Sequence, residues 1–333
     1  MSNAVSGRIA APRVRFKLNV LGPLLALLLL LILGALLNGN FLTIGNIMNV
    51  VARSASIGII AIGATFVITS GGLDLSVGSM AAFTAGLMII IMNALVPTLG
   101  TGWMVVVVGM LAGLAIGASA GAANGLLVTA GRIEPFIVTL GTLGIFRALI
   151  TFLANGGTLN LNFKVADIYS PVYSGNVAGI PVPIIVFAAI AIAAEIVMRR
   201  SKFGRHAAAI GSSEQVARYS AINVDRVRLL TYVLQGALVG VATMLYVPRF
   251  GSANSSTAVL WELQAIAAVI IGGTMLKGGF GRIWGTVVGV IILELIGNIL
   301  NLQSLISPYL NQAFQGAIII VAVLLQRSKR AAD

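Results

Sequence analysis

Apolar runs of about twenty residues recur along nearly the whole chain, and they restrict its fold more than any other feature. The hydrocarbon core of a bilayer is about 30 Å thick, which about 20 residues of α-helix can cross. The runs are continuous rather than alternating, so they predict helices whose backbone groups bond to one another. Only 9% of the residues are charged, against about 25% in an average soluble protein. The sequence therefore predicts an all-α integral membrane protein.

Ten membrane-spanning helices are predicted. Their ranges are 18–37, 47–69, 76–95, 103–127, 135–154, 180–198, 228–248, 259–276, 283–302 and 308–326. We interpret the first run as an uncleaved span, because it is longer than the apolar core of a signal peptide. The predicted domains are a basic segment at 1–17, a transmembrane domain at 18–326 and a tail at 327–333.

The basic residues predict the orientation of these spans. Of the 21 lysines and arginines, 17 fall in segments on one side, which includes both termini. The positive-inside rule makes this side cytoplasmic. Residues 199–228 then form the longest cytoplasmic segment, and the polar residues 155–179 form an external loop. The net charge of +12 therefore reflects membrane topology, and no nucleic-acid partner is predicted.

A polar stretch, TSGGLDLSVGS, interrupts the apolar runs at residues 69–79. Gly71 and Gly72 are predicted to end one helix, because glycine readily adopts the left-handed backbone found at helix C-termini. Asp74 or Ser76 can cap the next helix by accepting a backbone N–H bond. The alternative is that these four residues line or gate a permeation path, since an acid within a membrane region is a functional candidate. Both interpretations are open at this point.

The predicted span 259–276 is unusual, because its apolar part is too short to cross a bilayer unless it includes Glu262. Gly272 and Gly273 interrupt it, and glycine-interrupted helices are frequent around transport pathways. These glycines are therefore pore or gate candidates. Glu262 belongs either to the pathway or to an external rim.

Glycine accounts for 39 residues. Gly117 with Gly121, and Gly285 with Gly289, have the four-residue spacing that lets two helices approach closely in lipid. The stretch LKGGFGRIWGT at 276–286 echoes the earlier TSGGLDLSVGS. This similarity indicates either a second tight hairpin or chance in a glycine-rich chain.

The cytoplasmic segment 199–228 contains a predicted short helix, SEQVARYSA. Ser212 and Gln215 have the spacing of a capping box at its start, and Asn223 or Asp225 can cap the helix that follows. A short helix between two spans projects from the membrane, so we interpret it as a docking site for another protein. A plain surface helix is the alternative.

Several kinds of chemistry are excluded by what the sequence lacks. There is no cysteine and one histidine, which excludes disulfides, thiolate chemistry and a histidine-rich metal site. The phosphate-loop pattern GxxxxGK[ST] does not occur, nor do the common hydrolase motifs. We therefore expect no catalytic, cofactor or metal site in this chain, and we expect an energy source for transport on another chain.

Four stretches carry a resemblance to a known family: SGGLDLSVGSMAAFTAG, GRIEPFIVTLGTLGIFRAL, GRHAAAIGSSEQVARYSAINV and WELQAIAAVIIGGTMLKGGFGRIWGT. In this order they resemble the permease subunits of bacterial ABC sugar importers of the ribose/xylose/arabinose/galactose type. The resemblance implies ten helices in a fold similar to that of the vitamin B12 importer permease. It also implies a second permease, identical or paralogous, in the inner membrane. The further partners are a cytoplasmic ATPase with two nucleotide-binding domains, which holds ATP and Mg, and a periplasmic sugar-binding protein.

The resemblance also identifies GSSEQVARYSAI as the coupling helix that fits the ATPase. The matching positions are Gly211, Ser212, Glu214, Ala217, Ser220 and Ile222. Two positions depart from the family pattern. Ala221 stands where a glycine is frequent, and Gln264 stands where an acid is frequent, so position 264 does not require a charge.

The function predicted from these observations is passage of a monosaccharide, a pentose or hexose, driven by ATP hydrolysis in a separate subunit. The alternative is a secondary transporter or facilitator that works alone. That alternative requires an ion-coupling site within the membrane, for which Asp74, Glu262 and Glu294 are the available acids. A third possibility, an integral membrane enzyme, is not supported, because the sequence contains no recognisable catalytic cluster.

Overall fold

The computed structural model describes residues 18–302 together with residues 313, 316 and 317, and it is mostly helical. The helices of residues 18–302 are α1 (Leu18–Leu37), α2 (Ile44–Thr69), α3 (Val77–Leu99), α4 (Trp103–Thr129), α5 (Pro135–Leu153), α6 (Phe163–Tyr169), α7 (Pro171–Ser174), α8 (Val182–Arg200), α9 (Lys202–Ser212), α10 (Glu214–Tyr219), α11 (Val224–Phe250), α12 (Trp261–Ile271) and α13 (Ile283–Leu302).

Seven helices of the described residues are long and apolar enough to cross a membrane: α2, α3, α4, α5, α8, α11 and α13. They confirm seven of the predicted spans. The apolar part of α1, Gly22–Leu37, is shorter than the other seven. The predicted span 259–276 is wrong as a continuous crossing, because α12 has 11 residues and ends at Ile271. The predicted segment 1–17, most of the tenth span and the tail lie outside the described residues.

Helix α2 lies at the centre of the bundle. It packs against α8, α11, α12 and α13, and every residue from 58 to 70 is buried. Ile59 and Ile62 are fully buried in a core that also contains Val239 of α11, Ala268 of α12 and Val290 of α13. Helix α2 is therefore enclosed by other helices over the second half of its length.

Helices α4 and α11 meet along glycines. A Cβ atom added to Gly117 would strike the carbonyl oxygen of Gly236, and one added to Gly236 would strike the carbonyl oxygen of Gly117. Gly121 likewise faces the backbone of α11, at Tyr232. The same closeness recurs between α12 and α13, where Gly289 meets the backbone of Ala268. The packing interpretation of the four-residue glycine spacing is thus confirmed.

Replacing Gly236 with alanine is expected to destabilise the protein by about 1–3 kcal/mol, because the new methyl group has no room against the α4 backbone. The matched control is Gly141→Ala on α5, where nothing lies within 4 Å of an added Cβ. Alanine there gains helix propensity, so this control should be neutral or slightly stabilising. Thermal unfolding of the two variants in detergent measures the difference. Equal melting temperatures would contradict the close α4–α11 contact.

Two short antiparallel ribbons lie at the end of the bundle opposite α9 and α10. Strand β1 (Thr158–Asn160) pairs with β4 (Ser252–Asn254), and β2 (Asn176–Val177) pairs with β3 (Ile180–Pro181). The first ribbon joins the polar segment after α5 to the chain just before α12. The predicted loop 155–179 is therefore an ordered surface rather than an open connection.

Candidate functional site

The C-terminus of α2 is built by two glycines. Gly71 has a φ of 82°, its amide donates to Ile68 O at 2.9 Å, and the Gly72 amide donates to Val67 O at 2.9 Å. This pair of bonds is the Schellman motif, in which a left-handed residue satisfies the last carbonyls of a helix. The predicted role of the two glycines in ending this helix is confirmed.

Asp74 lies in the connection between α2 and α3 and is only 4% exposed. Its Oδ1 accepts hydrogen bonds from the Ser76 amide at 2.9 Å and from Ser76 Oγ at 2.7 Å. Ser76 is the N-cap residue of α3, but its side chain makes no capping bond. Asp74 bonds Ser76 before the helix begins, so neither residue caps an amide of the first turn as predicted. Burial raises the pKa of the Asp74 carboxyl, against hydrogen bonds from Ser76 and Asn124 that lower it.

The connection around Asp74 is fastened to three helices. Asn124 of α4 donates to Ser76 Oγ at 2.8 Å. Leu73 O accepts from Thr139 of α5 at 3.3 Å and from the Tyr232 hydroxyl of α11 at 3.2 Å. Asp74 Oδ2 and Asn124 Oδ1 are buried without a hydrogen-bond partner. Both acceptors face a closed interior, so Asp74 and Ser76 are buried in this conformation; their role as pore residues stays a prediction.

Helix α12 ends by the same device as α2. Gly273 has a φ of 87°, its amide donates to Ile270 O at 2.9 Å, and the Thr274 amide donates to Val269 O at 3.2 Å. The structural counterpart of Gly71 is therefore Gly273. The echo at 276–286 predicts either a second tight hairpin or chance, and a tight turn is present there. The Gly278 amide donates to Met275 O at 2.9 Å and the Met275 amide to Phe280 O at 3.1 Å, and Gly278 and Gly279 both have a φ of 84°.

Glu262 lies in the first turn of α12 and faces α3. A Cβ added to Gly78, in the first turn of α3, would strike Glu262 Oε2. Arg147 of α5 is close by: its guanidinium donates to the carbonyl oxygens of Ser255 and Thr257, both at 2.7 Å. Glu262 thus lies beside the start of α3, and its place in a pathway or at an external rim stays a prediction.

The predicted short helix is present as α10, but its cap differs. Ser213 is the N-cap, and its Oγ accepts from the Val216 amide at 3.4 Å. Ser212 is instead the last residue of α9 and donates to Ala208 O at 2.9 Å, so the predicted capping box is wrong. The predicted cap at Asn223 is confirmed, since its side chain accepts from the Arg226 amide at 3.0 Å.

An ion-pair cluster holds α10 on α11. Glu214 Oε1 accepts from Arg218 at 2.9 Å, and its Oε2 pairs with Arg228 of α11 at 2.7 Å. Arg218 also pairs with Asp225 at 3.2 Å. Partial burial raises the pKa of Glu214, but the hydrogen bonds and charges of Arg218 and Arg228 outweigh it and lower the pKa. The cluster therefore holds above the ordinary pKa of a glutamate and is lost as the pH falls through the lowered value.

The predicted coupling residues divide into two groups. Ala217 and Ile222 pack into a small core with residues of α9 and α11, and Glu214 is engaged by the ion pairs. Ser220 is exposed, as are two apolar residues of α10. Val216 is 61% exposed and Tyr219 is 80% exposed. Together Val216 and Tyr219 form an exposed apolar knob on α10.

A junction of glycine backbones connects α9 to two other helix ends. The Gly279 amide donates to Thr69 O, the last residue of α2, at 2.9 Å. A Cβ added to Gly211 of α9 would strike both partners of that bond. A Cβ added to Gly278 would lie 3.0 Å from the Cα atoms of Gly211 and Gly71. This glycine junction (Gly71, Gly211, Gly278 and Gly279) places α9, α2 and the α12–α13 connection in direct backbone contact.

The buried central helix and its apolar neighbours make the chain a multi-pass helical membrane protein. It belongs to the family described as the permease component of branched-chain amino acid transport systems, which matches residues 46–323. The predicted resemblance to sugar importer permeases is also confirmed. Among similar proteins are the ribose import permease protein of Escherichia coli K12, 36% identical over 92% of this chain and 93% of its own. The ribose import permease protein of Bacillus subtilis 168 is 38% identical over 96% and 97%. The D-allose transport system permease protein of Escherichia coli K12 is 33% identical over 89% and 87%. As a bacterial permease, the chain resides in the inner membrane.

Proposed function

We propose that this chain is the permease subunit of an ABC importer that carries a monosaccharide, a pentose or hexose, across the inner membrane. The observation that carries the proposal is α10, which exposes Val216 and Tyr219 while its other face is fixed to α9 and α11. A helix with one face packed against its own protein and an exposed apolar residue pair on the other face is suited to contact another protein. The relatives named for ribose and allose import support the substrate class.

In this proposal a cytoplasmic ATPase with two nucleotide-binding domains holds α10. Movement of α10 passes through α9 to Gly211, and from there to the end of α2 and the α12–α13 connection, because these meet as backbone in the glycine junction. Gly71 and Gly273 are the points where the chain turns after α2 and α12, so they are suited to absorb a change in helix direction. ATP and Mg belong to the ATPase, whose hydrolysis supplies the energy.

The remaining parts of the assembly belong to the same proposal. The end of the bundle that carries α10 is cytoplasmic, as are both termini, and the ribbons at the other end face a periplasmic sugar-binding protein. Ten helices, in a fold similar to the vitamin B12 importer permease, pair with a second permease, identical or paralogous. The sugar passes between the two permeases.

Reconstitution in liposomes tests this function. We test uptake of labelled sugars from a panel that includes ribose and allose. We expect uptake only when the permease, its ATPase and the sugar-binding protein are all present and ATP is supplied on the side of the membrane where the ATPase lies. The chain alone should take up none. Uptake by the chain alone, driven by a pH gradient, would instead support the stand-alone transporter.

A further inference from the structure

A seam of polar residues runs between α2 and α13 from the end of the bundle opposite α10. Asn46 and Asn298 exchange side-chain hydrogen bonds at 3.0 and 2.9 Å, which fixes the two helices against each other. Arg53 lies two turns further along α2, and Glu294 one turn further along α13, on the same faces. At 1.5 Å per residue, both lie about 12–14 Å from the nearer ends of their helices.

Arg53 is exposed although it lies well inside a membrane-spanning helix. Its neighbours Ala52 and Ser54 are buried, and Asn49, one turn nearer the helix end, is exposed on the same face. An arginine that faces lipid at this depth costs several kcal/mol. This face of α2 must therefore meet water or polar groups rather than lipid tails.

Two further groups converge on the seam. Arg249, in the last turn of α11, lies 5.1 Å from the ring centroid of Tyr173 on α7. Burial raises the pKa of Tyr173, and the charges of Arg249 and Arg53 act in the opposite direction, so both arginines are within electrostatic range of its hydroxyl. Glu294 lies one turn from Asn298 on the face of α13 that the Asn46–Asn298 bonds hold against α2. Two guanidinium groups, one carboxylate and one phenol thus lie in the external half of this part of the bundle.

This set of groups matches the chemistry of a sugar. Guanidinium groups offer hydrogen-bond donors in a fixed fork, and a carboxylate accepts from two hydroxyls at once. An aromatic ring supplies an apolar face for the C–H side of a pyranose or furanose. We infer that Arg53, Glu294, Arg249 and Tyr173 form an outer polar site that contacts the uncharged sugar in the external half of the translocation path. This inference rests on the proposed function.

The natural absence of cysteine allows a direct test, because one introduced cysteine is then the only thiol of the permease chain. Asn49→Cys places the probe beside the site and leaves its four residues intact. The control is Ala188→Cys on α8, which is exposed and apolar. It lies about 9 Å from Val182, close to the depth of Asn49, which lies about 7.5 Å from Ile44 at 1.5 Å per residue. A membrane-impermeant cationic methanethiosulfonate is applied from outside to proteoliposomes that hold the permease and its ATPase.

We expect the reagent to label Asn49→Cys and not Ala188→Cys. A transported sugar should slow the labelling of Asn49→Cys several-fold, and leucine should not. Adding Arg53→Gln or Glu294→Gln to the probe should abolish this protection and leave labelling without sugar intact. Having two such variants keeps the test valid if one fails to fold.

Three outcomes would overturn the inference. They are an unlabelled Asn49→Cys, labelling that no sugar slows, and protection by leucine alone. Uptake separates this inference from the proposed function. If the unmodified complex shows no ATP-dependent sugar uptake, the proposed function fails. If it transports, but Arg53→Gln and Glu294→Gln leave its half-saturating sugar concentration unchanged, only the outer polar site fails.

Discussion

Replacing both Val216 and Tyr219 with aspartate is expected to reduce ATP-dependent sugar uptake by roughly 30-fold or more, since truncating one central aromatic contact of an interface already costs about 2 kcal/mol. Both side chains are exposed on α10 and contribute little to the fold, so the melting temperature of the permease should not change. Two carboxylates in the proposed contact would also have to be desolvated. The measurements are co-purification of the ATPase with the permease and uptake in proteoliposomes.

The control for this variant lowers the net charge by the same amount elsewhere on the cytoplasmic side. Lys202→Gln with Arg205→Gln changes two exposed residues of α9 and should leave ATPase binding and uptake close to those of the unmodified protein. Normal uptake by the Val216 and Tyr219 variant would contradict the docking role of α10. A loss of folded protein in that variant would show that the knob is part of the permease's own core.

Replacing Asp74 with alanine is expected to cause a large loss of stability, whereas Asp74→Asn should be tolerated. Alanine removes the acceptor used by the Ser76 amide and Ser76 Oγ, and each buried polar group left without a partner costs about 1–3 kcal/mol. Asparagine keeps an oxygen at this position. Its amide hydrogens also suit a region where Asn124 Oδ1 is buried without a donor.

The comparison of the two Asp74 variants separates a structural role from a pathway role. Thermal unfolding should show a lower melting temperature for Asp74→Ala only, and sugar uptake by Asp74→Asn should match that of the unmodified permease. A stable Asp74→Asn variant that no longer transports would show that the charge itself is required. That result would restore the interpretation of Asp74 as a pore residue.

The long helices could be predicted from the sequence because each is a continuous apolar run, which membrane thickness converts into a helix of known length. The interruption of α12 is also indicated by Gly272 and Gly273, which directly follow Ile271. The left-handed φ of Gly273 shows that the helix ends there rather than continuing as a kinked span. The spacing of Ser212 to Gln215 predicts a capping box, but α9 extends through Ser212, and Ser213 is the N-cap of α10.

The contacts that assemble the site could not be predicted from local sequence patterns. Gly71 is predicted as a helix end and Gly211 as a coupling position, and nothing in the sequence around either glycine indicates that the two lie together. The same is true of β1 and β4, which pair although about ninety residues separate them. Local sequence patterns do not show side-chain orientation either. The predicted coupling positions place Ala217 and Ile222 together with the exposed Ser220, although Ala217 and Ile222 pack into a core.

The glycine junction has a mechanical consequence. Side chains in contact can yield by changing rotamer, so a displacement on one side is partly absorbed before it reaches the other. Where two backbones are in direct contact, no side chain lies between them to change rotamer, and the peptide units themselves are planar and stiff. A shift of α9 is therefore passed directly to the end of α2 and to the α12–α13 connection, and the change in helix direction is taken up beyond the contact, where the chain turns at Gly71 and Gly273.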